Sequence, residues 1–249
     1  MDIKIKTPQE LEIMRQAGRI AAEVLRVTCD AVVPGITTKQ LDDIALSTME
    51  SLGVKSAFLG YYGYPAQTCI SINEVVIHGI PGSQVVKEGD VVSIDVGVWY
   101  NGYVGDNAKT VMVGVTDPDV IRLVTKTEEA LAAAIAVIKP GVRLGDVSHA
   151  VEKVANSAHL GIVREYVGHG CGAAMHEDPP VPNCGLAGRG PLLKEGMVIC
   201  IEPMLNLGVR HVKTLSDGWT VVTRDKKPAA HFEHMVAVTA TGAEILTPR

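Results

Sequence analysis

Val86-Lys87-Glu88-Gly89-Asp90-Val91-Val92-Ser93-Ile94-Asp95 and Leu193-Lys194-Glu195-Gly196-Met197-Val198-Ile199-Cys200-Ile201-Glu202 are one phrase written twice. Each leads from Lys-Glu-Gly into an apolar stretch and ends on a carboxylate. A second pair of matches precedes them at nearly the same offset. Val33-Pro34-Gly35, with a helical segment ending Ser51-Leu52-Gly53, is echoed by Lys139-Pro140-Gly141, with one ending His159-Leu160-Gly161. A Lys-Glu-Gly turn before a hydrophobic strand also recurs on its own; the paired Pro-Gly segments are what make a duplication the better reading. The pattern predicts an α+β fold, a single domain over residues 1–249 built from two pseudo-symmetric halves of about 1–116 and 117–249. Each half reads as helices followed by an antiparallel sheet. Asp95 and Glu202 fall at the same point of each half, so a site between the halves collects both.

Around this core the local signals are conventional. Thr7-Pro8-Gln9-Glu10 reads as a capping box with proline at the first helical position, opening a helix to about residue 32. Leu11, Met14, Ala17, Ile20 and Ala21 keep the spacing of a buried stripe. Further helices are expected over 38–52, 118–138 and 145–160, and strands over 67–80, 91–100, 103–115, 163–168, 197–202, 219–224 and 231–239.

The chemistry begins at Asp95, set in an otherwise apolar strand. Asn101-Gly102 follows, a strong two-residue hairpin signal. With that turn, residue 97 faces 106 and 95 faces 108, so Asp95 and Asp106 share one face of the ladder. Gly97, opposite Asp106, is expected to leave empty volume. Like charges on one sheet face repel unless a cation lies between them or one is protonated. Taken alone, the hairpin fits a surface carboxylate and a turn carboxylate equally well. Three further residues sharpen the choice. His169 is framed by Gly168 and Gly170, which let backbone or ligand approach the ring; Glu202 ends an apolar run before Pro203; Glu233 interrupts the apolar strand that also carries His231. Buried carboxylates of this kind are costly unless paired. Four carboxylates and one imidazole suit two divalent ions of the Mn, Fe or Co type, with Zn admissible, rather than a thiolate-rich structural zinc. Such a pair activates water and polarises a carbonyl, and Glu202 is placed to carry the proton to a leaving amine.

Composition narrows the setting. Hydrophobic residues are 47% and charged residues 20%, a globular balance. The net charge of −5 supplies no basic surplus for DNA or RNA phosphates. Five cysteines without a CxxC pair fit reduced thiols in a cytoplasm. The opening MDIKIKTPQELEIMRQAG lacks a signal-peptide pattern, and the longest apolar run, 130–138, is too short to span a bilayer. A soluble cytoplasmic protein is expected.

Taken in order, Asn73-Glu74-Val75-Val76-Ile77-His78-Gly79-Ile80-Pro81, Asp95 with Gly105-Asp106, Gly168-His169-Gly170, His176-Glu177, Ile201-Glu202-Pro203-Met204, Asp217-Gly218-Trp219-Thr220 and Phe232-Glu233-His234 resemble type I methionine aminopeptidases. The resemblance runs through the whole chain and is closest to the minimal bacterial-style form. It implies the pita-bread (creatinase/aminopeptidase) fold, with curved antiparallel sheets flanked by helices. It further implies two divalent metals on Asp95, Asp106, His169, Glu202 and Glu233, with Asp106 and Glu233 bridging. His78, His176 and Glu202 become catalytic, the two histidines contacting the scissile peptide. Tyr61, Tyr64, Cys69 and Trp219 line a methionine pocket. Phe58 and Met175 stand in that pocket where relatives often carry cysteine and an aromatic, and Gly97 and Asn107 stand where threonine or serine is frequent beside the ligands. The implied reaction is removal of an unformylated initiator methionine from nascent chains with a small second residue, by a monomer in transient contact with the ribosome. Two other readings carry the same framework: an X-Pro peptidase, and a non-catalytic module binding protein or RNA.

Overall fold

A computed structural model describes residues 2–249. In chain order the elements are α1 (Pro8–Asp30), α2 (Thr38–Ser51), β1 (Lys55–Ser56), β2 (Cys69–Ile72), β3 (Val75–Ile77), β4 (Val91–Tyr100), β5 (Tyr103–Met112), α3 (Pro118–Ala136) and α4 (Leu144–Ser157). Ten short strands follow. They are β6 (Gly161–Ile162), β7 (Gly168–Gly170), β8 (Glu177–Val181), β9 (Val198–Ile201), β10 (Met204–Asn206), β11 (Val212–Thr214), β12 (Val221–Thr223), β13 (Ala229–His231), β14 (Glu233–Val238) and β15 (Ala243–Ile245).

The helices start where the sequence provides caps. Thr7 and Glu10 form a reciprocal capping box at α1, and Thr37 and Gln40 form one at α2. Asp117 accepts the Asp119 N–H, with Pro118 opening α3.

Nine strands form one antiparallel sheet in the order β1-β4-β5-β14-β9-β7-β8, with β2 also on β4 and β15 also on β14. Strand alternation assigns its two faces. Val92, Ile94, Val96 and Val98 of β4 pack with Ala21, Val24 and Leu25 of α1 and Leu41 and Ala45 of α2. Ile199 and Ile201 of β9 and Val236 and Val238 of β14 pack with Leu123 and Leu131 of α3 and Val147 and Val151 of α4. Both helix pairs thus cover one face. The other face carries Val104, Cys171, Val198, Cys200 and Met235 in a separate cluster with Phe58, Tyr64 and Cys69.

The repeated phrases make the same contacts twice. Gly35 N–H donates to Val86 O (2.8 Å) and Val86 N–H to Ile36 O (2.8 Å); Gly141 N–H donates to Leu193 O (3.0 Å) and Leu193 N–H to Val142 O (2.8 Å). Isolated bridges Thr37–Val85 and Arg143–Leu192 repeat one another as well. We take the connection between β5 and α3, near residue 116, as the boundary between the halves.

Several expected strands differ. The stretch 67–80 is two short strands, separated where Asn73 adopts a left-handed φ of 56°. Residues 163–167 lie between β6 and β7 rather than in a strand, and 231–239 is interrupted at Phe232. The unforeseen β8 contains Pro179 and Pro180. It is tolerated because it lies at the end of the sheet, where a missing N–H leaves no ladder bond unmade.

Candidate metal centre

Four strands deliver the carboxylates. The β4–β5 register places Asp95 opposite Ala108 and Gly97 opposite Asp106, as the Asn101-Gly102 turn requires. Ala108 in turn pairs with Glu233 of β14. His234 faces Ile201, so one step further the ladder brings Glu233 to the level of Glu202, just past β9. Asp95, Ala108, Glu233 and Glu202 therefore follow one another across the sheet, with Asp106 two residues along on the same face.

His169 enters from β7, pressed between neighbouring strands. A side chain at Gly168 would strike Cys200 O at 2.3 Å, and one at Gly170 would strike Asp178 O at 2.2 Å. The flanking glycines thus admit the backbone of β8 and β9. His169 Nδ1 lies 2.9 Å from Gly170 O. With Nδ1–H donating there, Nε2 keeps its lone pair free, 3.6 Å from Asp106 Oδ2 and 3.4 Å from Glu202 Oε1.

The electrostatics suit a cation. Asp106 and Glu233 are each 2% exposed, and Asp95 Oδ1, Asp106 Oδ1 and Glu233 Oε1 are buried without a hydrogen-bond partner. Burial pushes the Asp95 carboxyl up to about 7. Burial, then Glu233 and Asp95, raise Asp106 well above the carboxylate range. Burial, then Asp106 and Asp95, do so for Glu202, and burial, then Glu202 and Asp95, for Glu233. Burial and the neighbouring His176 hold the His169 imidazole down at about 3, neutral and ready as a ligand. Crowded orphan oxygens beside a neutral imidazole fit a divalent-cation site: positive charge supplies what four converging carboxylates lack.

The side chains singled out for metal, substrate and proton transfer all border one cavity of about 260 Å³. Tyr61, Tyr64, Phe58 and Cys69 form one wall, and Cys69 pairs directly with Asp95 across β2 and β4. Tyr64 donates its hydroxyl to Thr68 O (3.0 Å) and Gly79 O (3.1 Å), so it is also a buried structural residue. His78 follows β3 with a left-handed φ of 57°, and its ring stands 6.1 Å from Trp219. Trp219 is set by a turn in which Asp217 accepts from Trp219 N–H, Thr220 N–H and the Thr220 hydroxyl. His176 precedes β8, with Nδ1 2.7 Å from the Tyr61 hydroxyl and its ring 4.2 Å from that of His169. Burial lowers the imidazoles of His78, to about 4, and of His176, so both are neutral donors near pH 7.

One expectation is overturned. The space beside Gly97 is filled: a Cβ there would lie 2.5 Å from the Phe58 ring. Nor did the sequence reading reach every residue of the site. Tyr62, Ile77, Tyr166 and Val167 also line the cavity. Cys200 joins Asp106, His169 and Glu233 in a group whose donor atoms all lie within 4.8 Å of one another. Cys200 is two residues before Glu202 on the same strand face, a relation that becomes informative only once β14 is seen to face it. Asn107, expected beside the ligands, is buried with both amide atoms unpaired.

Against this geometry stands the comparison with known proteins. Residues 12–240 match metallopeptidase family M24. The chain is 50% identical to methionine aminopeptidase 1 of Bacillus subtilis over 97% of its own length and 98% of that protein's. The chain belongs to the methionine aminopeptidases of family M24. It is likewise 44% identical to the methionine aminopeptidase of Escherichia coli K12, covering 100% of this chain and 95% of that one. The crystal structure of the Thermotoga maritima methionine aminopeptidase superposes with a TM-score of 0.97 at 48% identity, covering 99% and 100% of the two chains. Prolidase from Pyrococcus furiosus superposes at 0.80 with 25% identity, but this chain spans only 65% of it. The pita-bread fold is thus shared with both structures, while the full-length likeness lies with the methionine aminopeptidases. Among the described residues no helix is long and apolar enough to cross a membrane.

Proposed function

We propose that this M24 metallopeptidase hydrolyses the bond after an N-terminal methionine on nascent chains whose amine is unformylated and whose second residue is small. The observation that carries the reading is the convergence of five candidate ligands with His78 and His176 on one cavity, beside partnerless carboxylate oxygens. Asp95, Asp106, His169, Glu202 and Glu233 would hold two divalent ions of the Mn, Fe or Co type, with Zn admissible. When bound, such ions lower the pKa of water and polarise the scissile carbonyl.

The protein's own residues do the rest. The methionine side chain enters between Tyr61, Tyr64, Phe58, Cys69, Met175 and Trp219, an apolar wall matching a thioether. Glu202 accepts a proton from the attacking water and returns it to the leaving amine. Tyr61 donating to His176 Nδ1 leaves the imidazole proton on Nε2, a neutral donor for the developing oxyanion. His78, on the facing side, orients the peptide. A formylated nitrogen, its lone pair delocalised into the amide, could not serve as a ligand to the proposed ions, so deformylation would come first. This role implies work in the cytoplasm, as a monomer, with transient contact at the ribosome.

Turnover of Met-Ala-Ser with no turnover of X-Pro dipeptides is the expected result, lost in Asp106→Ala and in His169→Ala. Equal cleavage of Met-Ala and Met-Leu peptides would refute the size limit on the second residue. Activity surviving either alanine change would refute the metal set.

A further inference from the structure

We propose that Cys200 gives this chain a second, thiolate-containing way to hold a divalent cation, through Asp106, His169, Glu233 and Cys200, selective for soft ions such as Cd²⁺ and Zn²⁺. The inference rests on the reading of Asp106, His169 and Glu233 as metal ligands and adds to it a donor outside that set. Cys200 lies on β9 opposite Met235, on the face that carries Glu233 and Glu202. Its side chain is fully buried, and its Sγ is 4.0 Å from Asp106 Oδ2. All four donor atoms fall within 4.8 Å of one another, and Asp106 and Glu233 each present a buried oxygen without a partner.

Two of the donor–donor distances lie close to the edges of a tetrahedron. With Zn–S near 2.3 Å and Zn–O and Zn–N near 2.1 Å, sulfur–oxygen edges are roughly 3.6 Å and nitrogen–oxygen edges roughly 3.4 Å. The corresponding distances here are 4.0 Å from Cys200 Sγ to Asp106 Oδ2 and 3.6 Å from His169 Nε2 to Asp106 Oδ2. A few tenths of an ångström of side-chain rotation would close both.

Ligand chemistry then sets the preference. Hard ions gain little from sulfur and stay with the oxygen-rich set, whereas soft and borderline ions gain most from it. As the Sγ–metal bond forms the S–H bond breaks and its proton leaves to solvent, with no change of oxidation state. Three of the four donors are shared with the proposed catalytic arrangement, so the two modes exclude one another. Soft ions would hold the protein in a four-donor state that leaves Asp95 and Glu202 aside.

The test is spectroscopic and needs no turnover. Cd²⁺ is titrated into the metal-free protein, and thiolate-to-metal charge transfer in the ultraviolet is followed. One band equivalent per chain is expected, absent in Cys200→Ser and in Cys200→Thr but retained in Cys69→Ser and Cys171→Ser. Cd²⁺ affinity is expected to fall at least about tenfold in the two Cys200 variants, while Mn²⁺ affinity moves less than about threefold. X-ray absorption of the Zn²⁺-loaded wild type, which depends on no variant, is expected to find one sulfur neighbour near 2.3 Å. Binding of Cd²⁺ with no thiolate band, and of Zn²⁺ with no sulfur neighbour, would overturn the thiolate mode and leave the five-ligand reading intact. A band that moves with Cys69 or Cys171 instead would overturn it too. Failure of every ion to bind would bring down the five-ligand reading, and this inference with it.

Discussion

Phe58 and Gly97 act as a pair. Ala57 N–H donates to Gly97 O at 2.8 Å, and β1 pairs with β4 at Ser56–Val98, which brings the ring of Phe58 over the bare Cα of Gly97. Threonine at 97 would place its Cβ within 2.5 Å of that ring, and Phe58, 8% exposed, has little room to retreat except into the cavity. Overpacking of this kind costs about 1–3 kcal/mol. Gly97→Thr is therefore expected to lower the melting temperature and to raise KM for Met-Ala-Ser several-fold, with a smaller effect on kcat. Phe58→Cys in the Gly97→Thr background is expected to restore both, with a coupling of about 0.5–3 kcal/mol in a double-mutant cycle; additive effects would dismiss the pairing. The sequence marked each residue as a departure from related chains but left them unconnected. Only a two-residue strand brings them together, and two residues carry no periodicity to read. Asp95 and Asp106 were legible for the opposite reason: one Asn-Gly turn fixes every register pair of a ten-residue ladder. Cys200 escaped because a cysteine within an apolar run is indistinguishable from ordinary core until the facing strand is known.

At the level of elements, the segment before α1 is tied to the site's far wall. Lys6 N–H donates to Gly196 O (2.8 Å), and Lys6 Nζ meets Glu177 Oε2 at 2.5 Å with both side chains largely buried. Glu177 Oε1 also accepts the Ala174 N–H at 3.2 Å, so the pair fastens the turn that carries Met175 and His176. Removing one partner of a buried pair strands the other, at about 3–5 kcal/mol. Lys6→Met is expected to lower stability on that scale and to reduce kcat by loosening His176. Adding Glu177→Gln should return part of the stability, because no charge then remains unpaired. An unchanged denaturation midpoint in Lys6→Met would dismiss the role. The cap of α1 adds a pH dependence. Hydrogen bonds from the Thr7 backbone, then from the Tyr103 hydroxyl, hold the Glu10 carboxyl down at about 2, against 4.5 for the free group. A carboxyl depressed in the folded state contributes stability above about pH 4.5 and loses it as pH falls towards 2. Glu10→Gln should thus flatten stability across that window while leaving the midpoint nearly level below it; an identical acid limb in both proteins would count against the cap. The capping box of α1 was readable as a three-residue spacing, whereas β8, with two prolines, was not. Its place at the sheet edge is a tertiary fact.

For the whole molecule, the duplication was visible in the repeated phrases, but the merging of the two halves into one sheet was not. They join where β5 meets β14, along the pairs Ala108–Glu233 and Asn107–His234. The seam is short, and the carboxylates straddle it: Asp95 and Asp106 belong to one side, Glu202 and Glu233 to the other. Nothing in local sequence predicts a seam made of so few pairs, because each of its strands also satisfies its own half. The proposed cations would be part of the fold's stability. Without them the carboxyls crowd one another across the junction; with them the same groups would hold the halves together. A ligand bound only by the folded state at a hundred times its Kd adds about 2.7 kcal/mol. At roughly 2–4 °C per kcal/mol for a chain of this size, chelation should lower the melting temperature by about 5–11 °C, recoverable with Mn²⁺. Asp106→Asn separates this from a general salt effect. Burial and its neighbours already push the metal-free Asp106 carboxyl towards its protonated form, which a neutral amide replaces at little cost, so the variant's melting temperature without metal should equal or exceed that of the wild type, while its gain on adding Mn²⁺ largely disappears. Calorimetry of both proteins with and without chelator decides. A wild type indifferent to chelation, or a variant that melts early yet keeps the full Mn²⁺ gain, would mean that the seam is held by packing alone.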